Sequence, residues 1–314
     1  MSALIEAPVE QRETFACFGS RCTVIVADPR PDEAVAAVAS ARRRLLGWHA
    51  QFSRFEPGSE LTRLNEATGE TVAVSPLMRR VVEAGLQAAR ATDGLVDPTL
   101  LAEIEQAGYE SHYEGPGLPL GLALAIAPAR RPGAPAAEAR WRLVATDRRT
   151  GSVTRPAGVR IDPGGIAKGV FADELAAQLA GHEAFVVDCG GDLRLGGCHA
   201  PAREVHVASP FEDAVLHTFV RRGGGVATSG IGKRSWLDGD GHVSHHLLDP
   251  ASGRPAFTGI VQVTALAPTA TEAEMLSKAA LLRGPAGAGA VLVHGGMFVL
   301  DDGNYVVLDP GAAI

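Results

Sequence analysis

Short apolar, β-branched runs broken by glycine turns, with helices interspersed at irregular intervals, constrain the fold more than any other feature of this chain. The run at 14–27 is interrupted by Gly19, which marks a strand, or two with a bulge. Further strands are expected at 141–146, 152–155 and 158–162, on both sides of the glycine pair within 185–197, and at 203–208 and 215–220. A His-bearing strand is expected at 242–248, followed by strands at 260–266, 290–293 and 297–300. Helical periodicity falls at 32–51, opening near Asp32, and at 76–92, where Ser75 is placed to cap and Pro76 to enter the first turn. It recurs at 166–179 and 271–283. Residues 115–140, almost all Gly, Pro, Ala, Leu and Arg, read as a loop excursion. There is no internal repeat and no regular strand–helix–strand alternation. The pattern therefore points to an α+β fold with largely antiparallel sheets.

Composition narrows the function classes. A chain of 314 residues that is 46% hydrophobic and 21% charged can bury a sizeable core, which excludes disorder as its dominant state. On length alone it holds two domains or one large one. A net charge of −7 argues against a general nucleic-acid or anionic-membrane binder, while leaving room for a local basic pocket. Cys17, Cys22, Cys189 and Cys198 lack the spacing of a metal site or a disulfide scaffold, and read as reduced thiols of a cytoplasmic protein. Residues 1–15 have neither a basic leader nor an apolar stretch, so no signal peptide is expected, and 118–127 is too short to span a membrane.

Four clusters carry chemistry-bearing residues at turns. In IDPGGIAKG (161–169) a strand ends at Asp162, a Gly-Gly turn bares backbone, and a helix begins with Lys168 in its first turn. Free N–H groups, the positive end of the helix dipole and an ammonium together suit a phosphate or pyrophosphate. From spacing alone the segment reads first as an ordinary strand–glycine–helix connection, since it is neither a Walker A loop nor a GxGxxG fingerprint. VDCGGDLRLGG (187–197) sets Asp188 and Asp192 beside a tight turn, and VATSG (226–230) offers two hydroxyls. HHLLDPASGRP (245–255) places His246 three residues before Asp249, an arrangement open both to a general base and to a structural histidine.

Taken in order along the chain, FSRFEPGSELTRLN (52–65), VDPTL (96–100), IDPGGIAKG with the following Asp173, VDCGGDLRLGG, VATSG and HHLLDPASGRP resemble the ApbE family of FAD:protein FMN transferases. FGS (18–20) is similar to the family's early Met-Gly-Thr element. The resemblance implies one family domain over 1–314, with two antiparallel sheets flanked by helices and an FAD site between them. It also implies transfer of FMN from FAD to a Thr or Ser hydroxyl of a partner protein, with release of AMP. By the same resemblance Phe18 and Phe55 line the flavin or adenine pocket, and Asp97, Pro98 and Thr99 form an FAD-contacting loop. Asp162 bonds the cofactor, Lys168 approaches the phosphates, Ser229 lies in the cofactor site, and Gly165 lends a carbonyl to Mg²⁺. His246, with Asp249 nearby, takes a base or substrate-positioning role.

The sequence departs from the family at one motif. Where the family carries roughly Ala-Asp-Ala-Leu-(Ala/Ser)-Thr-Ala, with two metal ligands four residues apart, this chain has Ala273-Glu274-Met275-Leu276-Ser277-Lys278-Ala279. Glu274 retains a carboxylate, but an ammonium at Lys278 is no ligand for Mg²⁺, which demands oxygen donors. Lys278 can instead pair with Glu274, or its ammonium can stand as a fixed charge against the pyrophosphate; the sequence leaves both open. Two other functions stay in view: an FAD-binding protein that does not transfer, and an FAD pyrophosphatase that yields FMN and AMP.

Overall fold

The structure, a computed structural model, describes residues 9–111 and 117–309. Part of the leader reading (1–8) and the start of the excursion (115–116) lie outside the described residues. The first apolar run forms two strands, β1 (Val9–Cys17) and β2 (Ser20–Asp28), paired with Cys17 opposite Ser20. Their two-residue turn puts Phe18 at φ 55° and Gly19 at φ 62°. Two consecutive positive φ angles match the right-handed twist of the flanking strands, so the interruption is a hairpin turn rather than a bulge. Helix α1 (Pro31–Phe52) follows, with Pro31 in its first turn and Arg30, rather than Asp32, at the cap; Asp32 and Glu33 sit in the first turn. Helix α2 (Pro76–Ala91) starts as its sequence specifies, the Met78 N–H donating to Ser75 Oγ at 3.1 Å.

The remaining principal elements are α3 (Ala167–Leu179), β3 (Ala184–Cys189), β4 (Asp192–Gly196), β5 (Gly224–Gly230), β6 (Ile260–Ala267), α4 (Ala270–Arg283), β7 (Gly296–Leu300) and β8 (Tyr305–Leu308). Strands β1 to β8 form one eight-stranded sheet whose spatial order is the chain order, with every neighbouring pair antiparallel. The antiparallel, helix-flanked architecture is thus as expected. The strands outside the large sheet form a three-stranded sheet (Thr71–Ala73, Ser152–Thr154, Ala145–Asp147) and two-stranded ribbons such as Arg203–Ala208 with Val215–Arg221. Helix α1 buries Ala34, Val38, Ala41 and Leu45 in one core cluster with Cys22, Val24 and Val26 of β2 and Phe171 and Leu175 of α3. A second cluster joins β5 and β6 to Ala273, Ala280 and Leu281 of α4.

Several expected strands are replaced by other elements. Residues 158–162 are irregular, because side chains supply the bonds that a ladder would. Asn65 accepts the Ile161 N–H at 2.7 Å and donates to the Ile161 carbonyl at 2.8 Å, while the Asp162 N–H donates to Pro98 O at 2.8 Å. The run at 141–146 begins as a 3₁₀ turn, Arg140–Leu143. That at 290–293 falls on the end of a helix, Pro285–Val291, started by proline. The His-bearing run narrows to Val243–His245, and the excursion contains a short helix, Leu120–Ala125. Among the described residues no helix is long and apolar enough to cross a membrane. Cys17, Cys22 and Cys189 are buried free thiols, while Cys198 is exposed.

One close approach sets the site. A Cβ at Gly169 would lie 2.7 Å from the Ala270 carbonyl oxygen and from Thr271 Cα, so only glycine lets α3 meet the start of α4 here. Asp173 of α3 then accepts the N–H groups of Ala270 (3.0 Å) and Thr271 (2.9 Å), together with the Thr271 hydroxyl (2.7 Å). A carboxylate at a helix N-terminus is favoured by the exposed N–H groups and the dipole.

Candidate active site

Loops before α3, from the β1–β2 turn and from the segments following α2 and β5 enclose a cleft of roughly 1150 Å³. That exceeds the ~300–1,000 Å³ usual for small-molecule sites and suits a ligand of dinucleotide size. Of the residues singled out from the sequence, Phe18, Phe55, Asp97, Pro98, Asp162, Gly165, Lys168, Ser229, His246 and Lys278 line it. Thr99, Asp249 and Glu274 are not among the residues that line it.

Aromatic rings flank the cleft. Phe18 stacks on Phe171 at 5.3 Å and meets His49 edge-on at 5.4 Å. Phe55 packs edge-to-face on Tyr109 at 5.6 Å, and the Arg54 guanidinium lies 4.2 Å over the Phe55 ring. Tyr109 in turn stacks on Trp236 at 5.4 Å.

At the opposite extreme of polarity, α3, α4 and β4 bring two ammonium groups onto two buried carboxylates. Lys168 Nζ is hydrogen-bonded to Asp192 Oδ2, with Asp192 only 1% exposed. Lys278 Nζ donates to Glu274 Oε1 at 2.9 Å, and the second oxygen of the fully buried Glu274 accepts the Gly169 N–H at 2.8 Å. Burial works to lower the Lys168 pKa, but the Asp192 and Glu274 carboxylates outweigh it and raise the pKa above its ordinary value. Burial and the neighbouring Glu274 push Asp192 up to about 6, against the pull of the two lysines. Glu274 ends below its ordinary value, because Lys278 and Lys168 overcome the effect of burial.

The remaining acids are held by local turns. Asp97 Oδ1 accepts the Thr99 N–H (2.8 Å) and hydroxyl (2.6 Å), and burial raises its pKa. Asp162 Oδ1 caps the Gly-Gly turn through the Gly164 N–H at 2.8 Å. The Ser229 hydroxyl is hydrogen-bonded to Ser277 Oγ of α4 at 2.8 Å.

His246 lines the cleft. Burial, then interaction with Arg234, His245, Lys278 and Lys168, holds its pKa well below 6.5. Its buried Nδ1 finds no hydrogen-bond partner among the described residues. Asp249, three residues on, is engaged elsewhere. Asp249 accepts the N–H groups of Ala134 (2.8 Å) and Ala251 (3.3 Å) and the Ser252 hydroxyl (2.7 Å), so its carboxylate fixes a turn.

The residues present do not fit the magnesium that the resemblance implies. Glu274 has both oxygens engaged, by a backbone N–H and by an ammonium, and the second expected ligand position carries that ammonium. Among the described residues no group of three or more His, Cys, Asp or Glu side chains is placed to hold a metal ion.

Two residues of the charged centre escape a reading by motif. Asp192 looked like a hairpin acid, yet it is the partner of Lys168, and that pairing depends on the strand register of β4. Arg234, which donates to the Phe18 carbonyl at 3.2 Å, belongs to no motif and has no local signal.

Fold and cleft together define a helix-flanked antiparallel sheet bordering a cleft lined by aromatic rings and cationic side chains. The chain belongs to the ApbE family, whose family model matches residues 18–299. Its relatives include an FAD:protein FMN transferase of Rhodobacter capsulatus, 29% identical over 93% of this chain and 56% of that protein. Another is the FAD:protein FMN transferase of Vibrio cholerae, 28% identical over 74% of this chain and 69% of that protein. The chain spans about half the length of the first curated relatives it matches. Among solved structures, the ApbE protein of Thermotoga maritima superposes with a TM-score of 0.77 at 25% identity, covering 96% of this chain and 97% of that one. The apo flavinyl transferase ApbE of Pseudomonas stutzeri, at 22% identity and a TM-score of 0.74, shares the fold over 98% of this chain and 96% of its own.

Proposed function

We propose that this chain is an FAD:protein FMN transferase that moves FMN from FAD onto a Thr or Ser hydroxyl of an acceptor protein. One observation carries the reading: His246, whose pKa burial lowers, shares a cleft with the cations Lys168, Lys278 and Arg234. In the proposed step the acceptor hydroxyl oxygen attacks the FMN-side phosphorus and forms a new P–O bond. The P–O bond to AMP breaks, and AMP leaves with the bridging oxygen. The hydroxyl proton passes to the imidazole of His246, and the lysines stabilise charge gathering on the phosphoryl oxygens. Phe18 and Phe55 hold ring systems of FAD, while the Asp97–Pro98–Thr99 loop and Asp162 shape its polar contacts. Asp249 supports the loop that carries His246 rather than acting on substrate. A cytoplasmic setting, expected from the cysteine usage, belongs to the same proposal. Magnesium has no part in it, since the donor set does not suit that ion.

A flavin binder without transfer is the second reading, favoured by the ammonium at a family ligand position. The test is incubation with FAD and a Ser/Thr acceptor peptide, scoring the peptide by mass for added FMN. Addition of FMN with stoichiometric AMP supports the transferase. FAD bound without turnover would establish the binder, and FMN with AMP released to water would establish a pyrophosphatase.

A further inference from the structure

We propose that the Lys278 ammonium is a built-in cation for the pyrophosphate of the dinucleotide, so that this chain works on it without a divalent metal. The inference rests on the FAD reading above and assigns the charge its site needs.

Three features hold that ammonium in place. Glu274, fully buried, grips it at 2.9 Å from the preceding turn of α4. The other Glu274 oxygen is pinned by the Gly169 N–H of α3, so the carboxylate cannot turn away. The Lys278 methylenes lie against Gly165, where an added Cβ would sit 3.6 Å from Cε and 3.8 Å from Cδ. The side chain is 11% exposed and lines the cleft, so it is ordered before any ligand arrives.

The remaining capacity of the group faces the right chemistry. An ammonium has three N–H donors, and among the described residues Lys278 uses one, on Glu274. Lys168 likewise bonds Asp192 alone. Lys168, Lys233, Arg234 and Lys278 all line the cleft, so several cations face a group that arrives with two negative phosphates. A divalent cation at Glu274 would have to displace the ammonium from its buried partner. Lysine therefore fills, by covalent attachment, the position where an oxygen ligand would recruit a metal.

The test uses the full chain, stripped of metal and divided between chelator and Mg²⁺. ADP and riboflavin are titrated separately, Mg²⁺ binding is followed by calorimetry, and FMN transfer to the peptide is scored. The expected result is equal ADP affinity and equal transfer in both conditions, with no Mg²⁺ binding to the wild type. Lys278→Met should weaken ADP but not riboflavin, and slow transfer by ~10²-fold or more. Loss of ADP binding or of transfer on chelation would overturn the proposal, as would unchanged ADP affinity in Lys278→Met. Should Lys278→Met fail to fold, the wild-type chelator arm decides. Should the wild type bind ADP but never transfer, the transferase reading falls while the ADP titrations still judge Lys278.

Discussion

The Lys168–Asp192 pair should behave as one unit in stability and as two separate residues in binding. Asp192 is 1% exposed and Lys168 21% exposed, so removing either partner strands a charge in a poorly solvated place. Breaking such a buried pair costs about 3–5 kcal/mol. In Asp192→Asn the shape is kept and Glu274 still acts on Lys168, which reduces the loss to about 2–3 kcal/mol. Lys168→Met leaves the Asp192 carboxylate buried without its cation, at about 3–5 kcal/mol. Replacing both charges together removes the stranded group, so the double variant should fall within about 1 kcal/mol of the wild type. Urea unfolding followed by tryptophan fluorescence gives the cycle, with an expected coupling of at least ~4 kcal/mol. FAD titration of the same four proteins separates the roles: the double variant should be stable yet bind FAD weakly. Single-variant losses that simply add, within ~0.5 kcal/mol, would refute the pairing argument. Wild-type FAD affinity in the double variant would refute the placement of Lys168 at the phosphates.

Three further outcomes are expected. His245, 1% exposed and edge-on to Phe257 at 4.8 Å, has its pKa lowered by burial to about 3 from an ordinary 6.5. The unfolded chain therefore binds this proton first: stability is full above pH 6.5 and declines as pH falls toward 3, by about 2 kcal/mol at pH 5. His245→Phe should flatten the fall in urea midpoint between pH 7.5 and pH 5, and an unchanged slope would count against it. Gly169→Ala puts a Cβ 2.7 Å from the backbone of Ala270 and Thr271, and should cost about 1–3 kcal/mol in a thermal melt. An unaltered melting temperature would show that α3 and α4 are not in close contact. His246→Ala should slow transfer by ~10²–10⁴-fold while FAD affinity holds, and loss of FAD binding would remove it from the role of base.

What was legible in the sequence was what is local. Ser75 caps α2 through an N–H three residues away. The Lys278–Glu274 pair is a single helical turn, so spacing alone allowed it. Long-range partners were not legible. Asp249 sits three residues from His246, yet Ala134, 115 residues away, takes its carboxylate. The expected strand at 158–162 gave way to Asn65, whose side chain holds Ile161 across 96 residues. Helices α3 and α4 carry buried positions on more than one side, so amphipathic spacing could not tell which face of either met the other.

Glu274 joins the two scales and explains why the departure at Lys278 is tolerated. One of its oxygens answers a residue four positions along the same helix, the other a backbone N–H 105 residues away. A carboxylate fixed from one side only would swing with the flexible lysine; fixed from both, it holds the ammonium where α3 and α4 touch. The position of that charge is therefore set by the glycine that allows the contact. It follows that Gly169→Ala should impair ADP binding as well as stability, although Gly169 itself does not line the cleft. A variant destabilised by the expected amount but binding ADP normally would break this link between helix packing and charge placement.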